Sequence, residues 1–161
     1  MGIVVTGVGI VSALGIGVDK NLAAICKGES GISASPQLLR TANNLPVGEL
    51  RLSNGELHDI LGISQGEHLS RTALLGILAV KEAMACANID FSKRVGLVSS
   101  TSVGGMDLTE HFFEKFMEDD SAGRLRDVRM HDCAASTEAI ARHCSINGYR
   151  TTISTACSSA A

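Results

Sequence analysis

The residues with the most chemical scope sit in the stretch TTISTACSS at positions 151–159, where Cys157 follows a β-branched run and is surrounded by small side chains. A thiol is a useful nucleophile only as its thiolate. A turn at the end of a strand would present Cys157 at the start of a following helix, whose dipole favours the anion. Ala156, Ser158, Ser159 and Ala160 leave room for a carbonyl to approach both the sulfur and the Cys157 amide, the arrangement that stabilises an oxyanion. The same local pattern serves a buried, inert cysteine equally well.

Two other groupings are weaker. TGVGIVSALG places Gly7 and Gly9 after a β-branched run, with Glu29 where a ribose-binding acid would stand, but Ser12 occupies the third glycine position of a dinucleotide loop. The pair Gly15 and Gly17 then delays the helix, so a phosphate would miss its N-terminus and tight turn packing is the better reading. His131, Cys133, His143 and Cys144 are ligand types, yet on one helix Cys133 and Cys144 would be about 16 Å apart. No metal site is expected there, and Cys144 pairs with Ile140 as apolar packing. The five cysteines are irregularly spaced and never form C-x-x-C, which argues against a disulfide framework or a zinc site.

The elements that must position Cys157 follow from the hydrophobic pattern. Residues 3–8 read as a strand buried on both faces, and a helix opens near Asp19 with Leu22, Ala23, Ile25 and Cys26 on its apolar side. Residues 33–67 lose periodicity and read as loops with one short helix at 56–61. Residues 70–87 carry the strongest helical signal, capped by Ser70 and mostly buried. A second strand at 94–100 leads through Gly104 and Gly105 into a helix at 107–117, whose Phe112, Phe113, Phe116 and Met117 form a packing stripe. Asp132 caps a helix through Ser145 that Asn147 and Gly148 end, and residues 149–155 form the strand that delivers Cys157. Alternating strands and helices imply an α/β fold with a largely parallel, buried sheet and no internal domain boundary.

Composition narrows the function classes. The 161 residues are 45% hydrophobic and 19% charged with a net charge of -3, and no cluster of Lys and Arg supplies a nucleic-acid footprint. No basic n-region and no apolar run of about 20 residues occurs, so neither a leader nor a membrane span is expected and the reading is cytoplasmic.

Four stretches in order resemble the N-terminal half of the β-ketoacyl-acyl carrier protein synthases, in particular the synthase II-like condensing enzymes: IVVTGVGIVSALG, KGESGI, RVGLVSSTSVGGMD and TTISTACSS. The resemblance extends along residues 1–161 and implies a thiolase-like layered αβα fold, of which this is the N-terminal half, ending just after the nucleophile. It implies that Cys157 accepts an acyl group as a thioester, and that malonyl-acyl carrier protein loses carbon dioxide to give the attacking carbanion. It also implies that Val103, at the glycine turn, contacts substrate; a turn residue in the core is the competing reading. Acyl carrier protein and acyl or malonyl thioesters would be the partners, a homodimer the assembly, and no cofactor would be required. Ala160 stands where many members carry glycine. The family's catalytic histidines, lysine and gating phenylalanine belong to its second half, and His58, His68, His111, His131 and His143 match none of its histidine motifs. Residues 1–161 alone would therefore be a poor catalyst. The alternatives are a non-catalytic module that dimerises or binds carrier protein, and a thiolase-type acyltransferase without decarboxylation.

Overall fold

Strands and helices alternate along the chain in a computed structural model that describes residues 2–39, 45–90 and 92–160. The order is β1 (Val11–Ser12), β2 (Gly15–Ile16), α1 (Val18–Cys26), β3 (Ile32–Ser33), β4 (Val47–Gly48), α2 (Asn54–Leu61), α3 (Arg71–Ala87), β5 (Leu97–Ser100), α4 (Met106–Glu118), α5 (Leu125–Val128), α6 (Cys133–His143) and β6 (Arg150–Ile153). A short 3-10 turn, Ala156–Ser158, follows β6. Contacts divide the chain into two units, one of residues 1–62 and 78–89 and the other of residues 63–77 and 90–161. No change of composition marks the division, because it falls inside α3. No helix among the described residues is long and apolar enough to cross a membrane.

In the first unit, β1 and β2 form a minimal antiparallel hairpin, and β3 pairs antiparallel with β4. The hairpin is fastened by Asn21 of α1, whose amide nitrogen donates to the Gly15 and Gly17 carbonyls at 3.0 and 2.8 Å while its oxygen accepts from the Ser12 hydroxyl. This reverses the face expected of α1. Asn21 and Ala24 are buried, whereas Leu22, Ile25 and Cys26 are exposed. A polar side chain that closes three hydrogen bonds is the better occupant of the inner face here. The loop reading of 33–67 gains the β3–β4 pair, and its short helix at 56–61 is present as α2, two residues longer at the start; residues 40–44 lie outside the described residues. Helix α2 starts in a capping box, with the Ser53 hydroxyl accepting from the Glu56 amide at 3.2 Å and the Glu56 carboxylate accepting from the Ser53 amide at 2.8 Å.

Residues 3–8 do not form the expected buried strand. They are outside any strand, and Ile3 and Val5 are fully or largely exposed, at 102% and 83%. What the segment does have is a helix to lean on: a Cβ at Gly7 would overlap the Ala83 carbonyl of α3, and one at Gly9 the Ala79 carbonyl. Glu82 of the same helix accepts from the Ile10 amide at 2.9 Å and the Val18 amide at 2.7 Å, so α3 fixes the chain on both sides of the β1–β2 hairpin.

In the second unit, β5 and β6 form a parallel pair with Leu97 opposite Arg150 and Ser100 opposite Ile153. Parallel neighbours need a crossover, and α4, α5 and α6 supply it. The pair is not buried on both faces as expected: Val98 and Ile153 are exposed. The core lies instead where the first turns of α3 meet α6, among Ala73, Leu74, Ile77, Ala139, Ile140 and Cys144. Gly76 allows the approach, since a Cβ there would come within 2.5 Å of Ile140 Cδ1. Ser70 caps α3 through its hydroxyl, which accepts from the Ala73 amide at 3.2 Å. Only part of α3 is buried, rather than most of it. The aromatic stripe of α4 is open rather than packed: Phe113, Phe116 and Met117 are exposed, although Phe112 and Phe116 stack on each other with centroids 5.8 Å apart. Helix α6 ends earlier than the sequence pattern implies, turning at Ser145 with φ of 55°.

Candidate active site

The parallel register of β5 and β6 brings their carboxyl ends side by side, and the Thr101 amide extends the ladder by donating to the Ile153 carbonyl at 3.2 Å. Val103 follows one strand and Cys157 the other. The edge outside the carboxyl ends of parallel strands is where α/β sheets bind ligands, because loops there are free to diverge while the strands hold them in place. The two residues singled out in the sequence thus emerge on the same edge.

Two side-chain contacts to α6 set the Cys157 strand. Thr151, Thr152 and Ile153 are β-branched and suit an extended backbone. The Thr152 hydroxyl meets that of Thr137 on α6 at 2.6 Å, and the Ser154 hydroxyl lies 3.6 Å from Cys133 Sγ at the first turn of α6. Asp132 caps that turn, accepting from the Ala134 amide at 2.8 Å.

The chain then reverses sharply. Ala156 takes a left-handed φ of 54°, an uncommon conformation for a residue with a Cβ. Two serines hold it there. The Ser159 hydroxyl, buried, accepts from the Thr155 amide at 2.9 Å and donates to the Ala156 carbonyl at 2.6 Å. The Ser158 hydroxyl donates to the Thr155 carbonyl at 2.9 Å and lies 3.2 Å from Thr155 Oγ1. Cys157 stands between these braces and is exposed, with no hydrogen bond or ion pair to its thiol among the described residues. Cys157 is thus not buried, unlike Cys144. The residues around Cys157 form a three-residue 3-10 turn, Ala156–Ser158. The structural work of Ser158 and Ser159 goes beyond the small size read from the sequence; the density of hydroxyl residues around Cys157 was the available signal.

The neighbouring turn is held by backbone contact. Gly104 has φ of 55°, and a Cβ on it would overlap the His131 carbonyl; one on Gly105 would overlap the Met130 carbonyl and come within 2.8 Å of Ser70 Cβ. The Gly105 amide donates to that Met130 carbonyl at 2.8 Å. Asp107 in the first turn of α4 accepts from the Arg71 amide of α3 at 2.8 Å, a link that the sequence did not reveal. Val103 rides on this braced turn and is half-exposed, at 51%, which removes the core reading of that residue.

The described histidines have partners of other kinds. His68 faces Asp127 at 3.3 Å, His111 faces Glu114 at 3.7 Å, His131 faces the Thr109 hydroxyl at 3.1 Å and His143 faces Glu67 at 3.0 Å, while His58 is buried in α2. Among the described residues no three His, Cys, Asp or Glu side chains gather to hold a metal, and all five cysteines are unbridged.

The second unit thus presents an exposed cysteine on a braced turn at the carboxyl edge of a parallel β-pair. The chain belongs to the family of β-ketoacyl synthase N-terminal domains, whose model matches residues 1–161. Among solved structures it is similar to a chain of the ishigamide ketosynthase/chain length factor, with a TM-score of 0.80 and 20% identity over 94% of this chain and 39% of that one. It is also similar to a chain of AntDE:AntF, a type II PKS acyl-carrier protein in complex with its ketosynthase bound to the hexaketide, with a TM-score of 0.61 and 18% identity over 94% of this chain and 41% of that one. At these identities the likeness shows the fold. The chain spans about two fifths of the length of either structure. A comparison with curated proteins finds no matching sequence.

Proposed function

We propose that residues 1–161 are the nucleophile-bearing domain of a decarboxylative condensing enzyme, an acyltransferase in which Cys157 carries the growing chain. The observation that supports this most is the exposed Cys157 on the turn that Ser158 and Ser159 brace at the end of β6. The Cys157 thiolate attacks the carbonyl of an acyl thioester, a carbon–sulfur bond forms, and the carrier thiol leaves with a proton. Malonyl-acyl carrier protein then loses carbon dioxide, and the electron pair released forms a carbon–carbon bond to the acyl carbonyl while Cys157 departs as thiolate. The product is a β-ketoacyl thioester extended by the two carbons of the malonyl unit. Within this chain the turn supplies the nucleophile and, through the Cys157 amide, one donor for the developing oxyanion. Val103 on the adjacent turn contacts the acyl chain.

The substrates are acyl and malonyl thioesters on acyl carrier protein, in fatty-acid or polyketide elongation; a ketosynthase with its acyl-carrier protein among the similar structures supports the partner. The domain works within a longer protein that supplies the remaining donors, assembled as a pair of such subunits. A non-catalytic module that dimerises or binds carrier protein is the second reading, and the presence of Cys157 disfavours it. Elongation of an acyl-acyl carrier protein by malonyl-acyl carrier protein is measured with the full-length protein and its Cys157→Ala variant. Loss of β-ketoacyl product in the variant is expected. Equal activity in both overturns the assignment.

A further inference from the structure

The first unit holds a cavity of about 410 Å³ whose lining residues include Lys20 of α1, Arg51, and Glu29, Ser30 and Ser33 of the segment after α1. Its charges are unequal, two cations against one carboxylate. The stem of Lys20 lies along β2 so closely that a Cβ at Gly15 would strike its Cδ and Cε, which lays the side chain along the cavity wall. Among the described residues its ammonium has no ion pair. The one carboxylate, Glu29, is drawn to Lys27 at 3.8 Å.

Arg51 is also without an ion pair within 4.0 Å among the described residues. Arg51 does act on the Glu49 carboxylate, which is buried and does not line the cavity. Glu49 spends its oxygens on the amides of Gln37, Leu38 and Leu39, the last two at 3.0 Å, and those bonds, the Gln37 amide foremost, hold its pKa below the ordinary glutamate value with Arg51 adding to them. The guanidinium donors therefore remain available to a ligand. Ser30 and Ser33 already accept from the Ile32 and Ser35 amides at 3.2 and 3.1 Å, so their hydroxyl protons are free to donate. An ammonium, a guanidinium and two hydroxyl donors together match a tetrahedral dianion. Leu14, Ile32 and Leu52 add apolar wall, which inorganic phosphate would not use.

We propose that this cavity binds a small organic phosphate monoester, with the phosphate between Lys20 and Arg51 and the organic group against Leu14, Ile32 and Leu52. The site is separate from Cys157 and does not depend on the role proposed for it. Phosphorus NMR titration of the full-length protein with phenyl phosphate and with inorganic phosphate tests it. Phenyl phosphate is expected to bind saturably and more tightly than inorganic phosphate. Lys20→Met and Arg51→Met each weaken it about threefold to fivefold, the range for exposed charge contacts, while Lys93→Met leaves it unchanged. Glu29→Gln tightens binding about twofold by removing the carboxylate found among the described lining residues, a change of sign that misfolding cannot imitate. Non-saturating binding, equal affinity for the two probes, or affinity indifferent to Lys20 and Arg51 overturns the proposal.

Discussion

Gly7 and Gly9 in the first unit and Gly104 and Gly105 in the second do the same local job: each lets backbone press on backbone where a Cβ would collide. Their surroundings differ. The first pair lies on an extended, exposed segment that leans on α3 and joins no strand, whereas the second pair follows β5, is hydrogen-bonded to Met130 and is flanked by the Asp107–Arg71 link. A glycine contact alone brings two segments together. It takes ladder bonds and side-chain braces to hold a turn in one geometry, and Gly104 and Gly105 follow a ladder strand directly, whereas in the first unit the Asn21 and Glu82 braces act on the hairpin after Gly9.

Substitution at the second pair should therefore cost most. Gly105→Ala forces a Cβ onto the Met130 carbonyl and toward Ser70, and a loss of about 3 kcal/mol is expected in urea unfolding. Gly9→Ala makes a comparable collision with the Ala79 carbonyl, but the segment has no ladder to keep it in place and can lift, so about 1 kcal/mol is expected. Equal losses would erase the distinction between the two regions. Ser159→Ala removes the two hydroxyl bonds that Ser159 contributes around Ala156; about 1 kcal/mol of stability should go, together with a changed rate of Cys157 alkylation by iodoacetamide. An unchanged rate would mean that the serine does not set the thiol's position.

Glu49→Gln sharpens the picture of the first unit through pH. The Glu49 carboxylate is more acidic folded than unfolded, so its stabilising effect is present above the ordinary glutamate value and is lost as pH falls through the lower folded value. The variant should be less stable than the parent at neutral pH and converge with it in acid; a constant difference across that range would contradict the carboxylate's role. Val5→Ser should have the smallest effect, within about 0.5 kcal/mol, because that side chain is already in solvent. A larger loss would show that residues 3–8 are packed after all.

Legibility in the sequence followed what each signal measures. Helix α3 with its Ser70 cap, the β5 and β6 strands and the Asp132 cap were readable because β-branched runs and capping side chains act locally. The Asn21 inner face of α1 was not, since hydrophobic periodicity assigns a polar residue to solvent whatever carbonyls lie within its reach. Nor was the exposure of residues 3–8 or of the α4 stripe, because an apolar pattern states that burial is favourable without stating what covers it. For the site, motif order indicated Cys157 and Val103, while the bracing by Ser158, Ser159 and Asp107 needed coordinates.

The central claim, that Cys157 carries the acyl group, is tested most directly by peptide mass spectrometry of the full-length protein after incubation with acyl-acyl carrier protein. The account predicts one acyl mass on the peptide containing Cys157, removed by hydroxylamine and absent from Cys157→Ala. Acylation at another residue, or an unacylated Cys157 in a protein that still condenses, would contradict it.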